Sequence, residues 1–372
     1  MKRSFIREIL EHTTNETISF AGGLPDEKLF PNIQLEQSAK RVLLNANSLQ
    51  YTTSTGLQEL KEKIAQFYCD DGFPTEASNI LITSGSQQAL DIISRYNNGK
   101  CITIESPSYL GAMNVFELNN MKQDAVLLTE NGIDINKFED SFSRSKFSYL
   151  IPDFQNPTGY TYSIEKRDSI AKIVEFHDGI LIEDSPYGEL YFEQKFKSIS
   201  SLIPNNSFSL GSFSKTLAPS LRIGWIRADE KLLEPLIAYK EAMDLHTNGL
   251  SQYILNDYFE DKKQYNTHLK LLRKIYAKKM QIFKSYLDEI LPEFNYIKPK
   301  GGMFIYGSFP NINSSELVQK CLENNVIFVP GIEFYTEQNN KIENEIRFNF
   351  THCSAKDIYK GLTLISRIIK EM

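Results

Sequence analysis

The chain has 372 residues, enough for two or three average domains and a large buried core. Its 41 basic and 47 acidic residues give a formal charge of −6, which argues against a nucleic-acid partner, because that role calls for a basic excess. With 41% hydrophobic residues, 24 Phe and 19 Tyr, disordered and low-complexity classes are excluded.

Residues 1–11 read as a short amphipathic helix, since Lys2, Arg3, Arg7 and Glu8 interrupt the apolar stretch that a secretory signal needs. A second helix is expected over 33–45. From Leu57 the apolar residues Leu57, Leu60, Ile64 and Phe67 follow helical spacing up to Gly72. Strands are expected at 79–83, 101–105, 125–128, 147–151, 180–184 and 207–210, separated by helices such as 87–96 and 163–177. Alternating strands and helices predict an α/β fold with a doubly wound, largely parallel sheet. After about Asp229 long charged helical segments follow, including 265–290, then a Gly301-Gly302 turn and strands at 303–306 and 345–350. These predict a smaller α+β domain. The expected division is a large domain, 46–258, and a discontinuous small one, 1–45 and 259–372, with the two amino-terminal helices packing on the carboxy-terminal part.

No apolar run approaches the ~18 residues that span a bilayer, so a soluble, cytoplasmic protein is expected. Cys69, Cys101, Cys321 and Cys353 lie far apart and are predicted to be reduced, buried and inert. Neither they nor His12, His177, His246, His268 and His352 show metal-ligand spacing, so no metal is expected.

Ligands of doubly wound sheets bind outside the carboxyl ends of the strands, so polar clusters there are site candidates. At Thr83-Ser84-Gly85-Ser86-Gln87 a strand passes through glycine into a helix start, which could hold a phosphate; taken alone, a plain N-cap at Ser86 is the better reading. Asn156-Pro157-Thr158-Gly159 is by itself a turn signature. Asp184 ends an apolar strand, where a carboxylate pointing into a crevice needs a cationic partner; a helix cap is the other reading. Between Gly211 and Trp225, Lys215 stands among small hydroxyl residues with Arg222 seven positions on, suiting an amine nucleophile beside an anion clamp, or else a surface loop. The serine before Lys215 excludes a Walker A loop.

Taken in order, Phe20-Ala21-Gly22-Gly23-Leu24-Pro25, Tyr51 with Gly56-Leu57, Ser84-Gly85-Ser86-Gln87, Ser106-Pro107-Ser108-Tyr109 and Phe154-Gln155-Asn156-Pro157-Thr158-Gly159 carry a resemblance that spans nearly the whole chain. It continues through Asp184-Ser185-Pro186-Tyr187, the Lys215 segment, Gly301-Gly302-Met303-Phe304 and Arg347-Phe348-Asn349-Phe350. The chain resembles the fold-type I, pyridoxal-phosphate-dependent aminotransferases of class I/II, in the subgroup of 2-aminoadipate and kynurenine aminotransferases and MocR-type effector domains.

The resemblance implies a role for each matching residue. Lys215 would join the cofactor aldehyde as an imine and then shuttle a proton at the substrate α-carbon. Asp184 would pair with the pyridine nitrogen and keep it protonated. Asn156 and Tyr187 would bond the ring oxygen, and Tyr109 would stack on the ring. Ser86, Gln87, Ser212, Ser214 and Arg222 would hold the phosphate. Arg347 would take the substrate α-carboxylate as a two-point pair, with Gly23 and Asn156 on the substrate side. Two subunits would share each site, Tyr51 reaching the neighbour's phosphate. Ser220 stands where relatives often have glycine, and Tyr306 where many have tryptophan. The implied activity is ping-pong amino transfer from an L-amino acid to a 2-oxo acid, with 2-oxoglutarate the expected acceptor. A lyase or decarboxylase on the same cofactor, or a non-catalytic amino-acid sensor, are the alternatives.

Overall fold

Fourteen strands among the described residues sort into three sheets, and only the largest supplies a row of strand ends at which a ligand can sit. The computed structural model describes residues 9, 14, 16–336 and 342–372; the expected helix over 1–11 lies outside them except for Ile9, which is helical and buried.

In chain order the strands are β1 (Ile18–Ser19), β2 (Ile80–Thr83), β3 (Ile102–Ser106), β4 (Gln123–Thr129), β5 (Gly132–Ile133), β6 (Phe147–Leu150) and β7 (Ile180–Asp184). They continue with β8 (Ser207–Ser212), β9 (Gly224–Arg227), β10 (Asn295–Tyr296), β11 (Phe304–Ser308), β12 (Val326–Ile327), β13 (Val329–Pro330) and β14 (Glu345–Asn349). The eight-stranded sheet runs β2-β9-β8-β7-β6-β3-β4-β5. Its centre, from β4 through β3, β6 and β7 to β8, is parallel, as the alternation predicts. β3, β6, β7 and β8 are buried along almost their whole length, polar residues included, because helices cover both faces.

One edge departs from the simple pattern. β9 follows β8 through the short Lys215 loop, with no crossover helix, so it must return antiparallel, and it separates β2 from β8. Two antiparallel steps restore the direction. Thr83 of β2 and Ser212 of β8 both lie opposite Gly224, so the two strands end on the same edge at the same height.

A separate four-stranded sheet, β10-β11-β14-β13, carries Arg347, and β1 pairs in parallel with β12. Phe20, just past β1, packs edge-on against Phe283 and Phe348, which ties the segment before the Gly22-Gly23 turn to the carboxy-terminal part. The helix expected over 33–45 forms as Asn32–Leu43, but it does not dock there. Instead it lies on the helix Gly249–Tyr258, where the Arg41 guanidinium takes the Asp257 carboxylate at 2.9 Å. That fork-to-carboxylate match was invisible to hydropathy. The long helix Lys262–Ile290 buries Tyr265, Leu269, Leu272, Tyr276, Met280, Phe283 and Leu287 at helical spacing and is capped by Asp261.

All four cysteines are free, but the expectation that all are buried is corrected: Cys69 is exposed and Cys101 partly so. Cys69 falls in the last turn of the helix Gln58–Asp70, off its buried Leu60–Ile64 stripe. Burial pushes the thiols of Cys321 and Cys353 up to about 12, which keeps them unreactive. Among the described residues, no helix is long and apolar enough to cross a membrane.

Candidate active site

The Ser84–Gln87 segment is built for an anion. Gly85 sits at φ 80° and caps the helix Ser86–Asn97 without a side-chain bond, so the first-turn N–H groups are not taken up by a cap. Ser86 is therefore the first helical residue and not the cap, and its Oγ is buried with no partner among the described residues. Arg222, itself left-handed at φ 55°, donates to Ser84 O at 2.9 Å and lies so close that a β-carbon on Gly85 would stand 2.6 Å from its NH2. Across the same strand ends, Ser214 N donates to Ser212 Oγ at 3.1 Å. Two hydroxyl residues, a helix start and a guanidinium thus converge from β2, β8 and the loop before β9. Gln87 turns its side chain to Gly111 O at 3.0 Å, so what it offers an anion here is its backbone N–H.

Further along the edge, Asp184 ends β7 at 2% exposure. Tyr149 lies opposite Ile182 on β6, which puts it on the face that Asp184 shares, and its phenol donates to Asp184 Oδ2 at 2.8 Å. The other oxygen, Oδ1, is buried with no partner among the described residues. Asp184 caps no helix. Burial pushes its carboxyl up to about 6, the Tyr149 bond pulling the other way. A buried carboxylate with one open oxygen calls for a cationic N–H, as a protonated pyridine provides. Lys215, three residues past β8, donates from Nζ to Gly23 O at 2.8 Å. Gly23 is tightly packed: a β-carbon would stand 3.3 Å from Phe304 Cζ, so that ring would have to give way slightly, and 3.9 Å from Lys215 Nζ.

The opposite wall belongs to Arg347 on β14, which is 1% exposed. Its NH1 donates to Asn156 Oδ1 at 2.8 Å, its NH2 donates to Ala21 O, and its Nε is buried without a partner among the described residues. The guanidinium carbon lies 4.3 Å from the Phe304 ring centre and 5.0 Å from that of Phe334. Burial pushes its pKa down to about 10, so it remains cationic at neutral pH. Asn156 is the hinge of the site, since its Nδ2 also donates to the Tyr187 phenol at 3.2 Å. Burial pushes that phenol's pKa up and keeps it a donor. Tyr109 is the N-cap of the helix Leu110–Leu118, and its ring folds against Gly111, where a β-carbon would stand 2.5 Å from the hydroxyl.

The loop that carries Asn156 is itself pinned from below. The Glu105 carboxylate accepts from Tyr162 Oη at 2.7 Å, Gln155 Nε2 at 3.0 Å and Ile151 N at 3.2 Å. Gln155 Oε1 in turn accepts from Thr158 N at 2.9 Å. Tyr51 stands apart from every other candidate: it is 78% exposed and packs edge-on against His246. Sequence reading gave no role to Tyr149, Glu105, Phe334 or the Phe304 of the Gly301-Gly302-Met303-Phe304 motif, the last two packing against Arg347. A tyrosine or glutamate inside an expected central strand was the available signal for the first two.

A doubly wound sheet whose carboxyl edge joins an anion cup, an open buried carboxylate and a lysine defines a pyridoxal-phosphate-dependent enzyme of fold type I. The family described as Aminotransferase class I and II matches residues 18–365. Aromatic-amino-acid aminotransferase 1 of Thermococcus litoralis is 34% identical, covering 100% of this chain and 92% of that protein. The α-aminoadipate aminotransferase of Thermus thermophilus, solved with N-(5'-phosphopyridoxyl)-L-leucine, superposes at TM-score 0.91 with 33% identity over 100% of this chain and 95% of the other. The HTH-type transcriptional regulator NorG of Staphylococcus aureus is 28% identical over 97% of this chain and 82% of the regulator. The chain belongs to the class I and II aminotransferase family: it is a pyridoxal-phosphate-dependent transaminase acting on small amino and oxo acids.

Proposed function

We propose that the enzyme moves the amino group of an L-amino acid to 2-oxoglutarate by a ping-pong cycle, with Lys215, Asp184 and Tyr109 as its catalytic residues. The observation that carries the assignment is Asp184, deeply buried with one oxygen held by Tyr149 and the other open. Bound pyridoxal phosphate supplies an aldehyde that accepts the amino group and a ring that draws electrons from the α-carbon. Asp184 would hold the proton on the ring nitrogen, and Tyr109 would cover the ring face. Asn156 and Tyr187 would fix the ring oxygen, while Ser86, Gln87, Ser212, Ser214 and Arg222 would hold the phosphate.

Arg347 would bind the α-carboxylate with the N–H groups that Asn156 and Ala21 leave over, its plane already set by Phe304 and Phe334. Gly23 leaves that path open. Lys215 Nζ would take the proton from the substrate α-carbon and deliver it to the cofactor carbon on the far side of the nitrogen, a positioned acid–base step contributing on the order of 10²–10⁴-fold.

Tyr51 finds no role within its own subunit. Its exposure, with exposed Leu49, Met243 and Leu245, supports a homodimer in which Tyr51 reaches the neighbour's phosphate. The split into an eight-stranded and a four-stranded sheet supports a large domain at 46–258 and a small one from 1–45 and 259–372, except that the helix Asn32–Leu43 lies on the large-domain helix Gly249–Tyr258. Free cysteines suit a reducing compartment, and we place the enzyme in the cytoplasm.

The test is a panel of amino donors with 2-oxoglutarate, following glutamate. Glutamate formation supports the proposal. Elimination or decarboxylation products without glutamate would replace transamination to this acceptor by another outcome on the same cofactor.

A further inference from the structure

Beside Arg347 lies a carboxylate that the proposed cycle leaves unused. Tyr306 and Arg347 stand directly opposite each other on β11 and β14, and opposed residues project from one face of a sheet. Glu345, two residues before Arg347, shares that face, diagonal to Tyr306. Its Oε2 accepts from the phenols of Tyr306 and Tyr335, each at 2.6 Å. Gly331 packs so closely that a β-carbon there would stand 2.8 Å from the Tyr306 hydroxyl, which fixes the ring in place.

The carboxylate lies on the face of the sheet from which Arg347 projects. Tyr160, on the loop that carries Asn156, has its phenol pushed up by burial and then by the charge of Glu345. Phe334 lies between the two neighbours, 5.0 Å from the Arg347 guanidinium and 6.4 Å from the Tyr306 ring. Glu345 is only partly buried, and both of its hydrogen bonds come from neutral phenols, which bring no positive charge to offset its own. A substrate held at Arg347 by its α-carboxylate therefore meets aromatic rings and one negative charge on the adjoining wall.

We propose that Glu345 is a specificity-determining residue, which admits amino donors with neutral or cationic side chains and resists those that carry a second carboxylate. The inference rests on Arg347 as the α-carboxylate clamp. Two carboxylates in a partly dry cleft repel far more strongly than in water, whereas an aromatic or cationic side chain meets no such opposition. The same wall weakens a dicarboxylate acceptor, so removing the charge should improve use of 2-oxoglutarate too.

The experiment compares wild type with Glu345→Gln, which keeps an acceptor oxygen for the tyrosines. In the holoenzyme, kcat/KM for glutamate and 2-aminoadipate is measured against phenylalanine and lysine. Binding of the unreactive acids glutarate and 3-phenylpropionate is followed by the cofactor's visible band. The substitution should raise the dicarboxylate-to-phenylalanine ratio at least tenfold and tighten glutarate relative to 3-phenylpropionate by a similar factor. Ratios within twofold of wild type overturn the proposal, as does a wild-type enzyme that prefers 2-aminoadipate to phenylalanine, an outcome that needs no variant. A working transaminase with unmoved ratios counts against Glu345 alone. Absence of transfer from every donor, with no cofactor band, counts against the site reading beneath it.

Discussion

The two walls of the site hold buried charge in opposite ways. On the large sheet, Asp184 has one hydrogen-bond donor and one open oxygen, and burial raises its pKa. On the small sheet, Arg347 is braced by two rings, a side-chain amide and a backbone carbonyl before any substrate arrives. The first wall is electrostatically unfinished, and in the proposed cycle it would find its partner in a resident group that stays throughout. The second is preorganised for a ligand that comes and goes, because a guanidinium already held in place loses less freedom when it binds.

Removing the reacting amine tests the meeting point of the walls most severely. Lys215→Ala should lower turnover by about 10²–10⁴-fold while the far-ultraviolet circular dichroism stays that of wild type, because a positioned acid–base is worth that much. Residual activity within tenfold would move the proton transfer to another group.

On the large-sheet wall, Asp184→Ala should keep the fold and lose most turnover, and Asp184→Asn separates charge from shape. The Asp184 carboxyl titrates at about 6 in the folded protein against an ordinary value of 3.8, so the folded state holds the proton more tightly than the unfolded chain. Its penalty on the cofactor-free protein is thus absent below about pH 4, grows as the pH rises and is complete above about pH 6, at a magnitude of about 3 kcal/mol. Thermal melts of cofactor-free Asp184→Asn should show a gain over wild type at pH 8 that vanishes near pH 4. A gain independent of pH would contradict the electrostatic account.

On the small-sheet wall, Arg347→Lys keeps a positive charge and loses the fork. Steady-state kinetics should show kcat/KM for amino acids down by roughly 30-fold or more, as for the loss of a buried charged partner, with cofactor affinity little changed. Unchanged kinetics would remove Arg347 from the site. The smallest effect belongs to Tyr51→Phe, where loss of one hydrogen bond to phosphate, about 1 kcal/mol, should weaken cofactor binding several-fold in a fluorescence titration. If the proposed dimer is absent in sedimentation, that shift should vanish.

Much of the large-sheet wall was readable from the chain, because strand ends carry local signals: an apolar run closing on Asp184, or glycine and serine before a helix. What escaped depends on pairing between distant segments. Tyr149 meets Asp184 only through the register of β6 on β7. β9 was hidden because its four residues follow directly on the Lys215 loop, and the docking of helix Asn32–Leu43 on Gly249–Tyr258, through Ser38, Val42 and the Arg41–Asp257 pair, joins segments 216 positions apart at that pair. Ser86 shows how one pattern serves two ends: the residue that looked like a cap is displaced by Gly85, which frees its hydroxyl for the cup. Glu345 lies two residues from a recognisable motif, yet its meaning comes from Tyr306 and Tyr335, brought to it by the fold.

The most direct measurement is borohydride reduction of protein reconstituted with pyridoxal phosphate, followed by peptide mass mapping. The account predicts a yellow band that reduction bleaches and a phosphopyridoxyl mass on the peptide containing Lys215. A colourless protein, or a label on any other lysine, would contradict it.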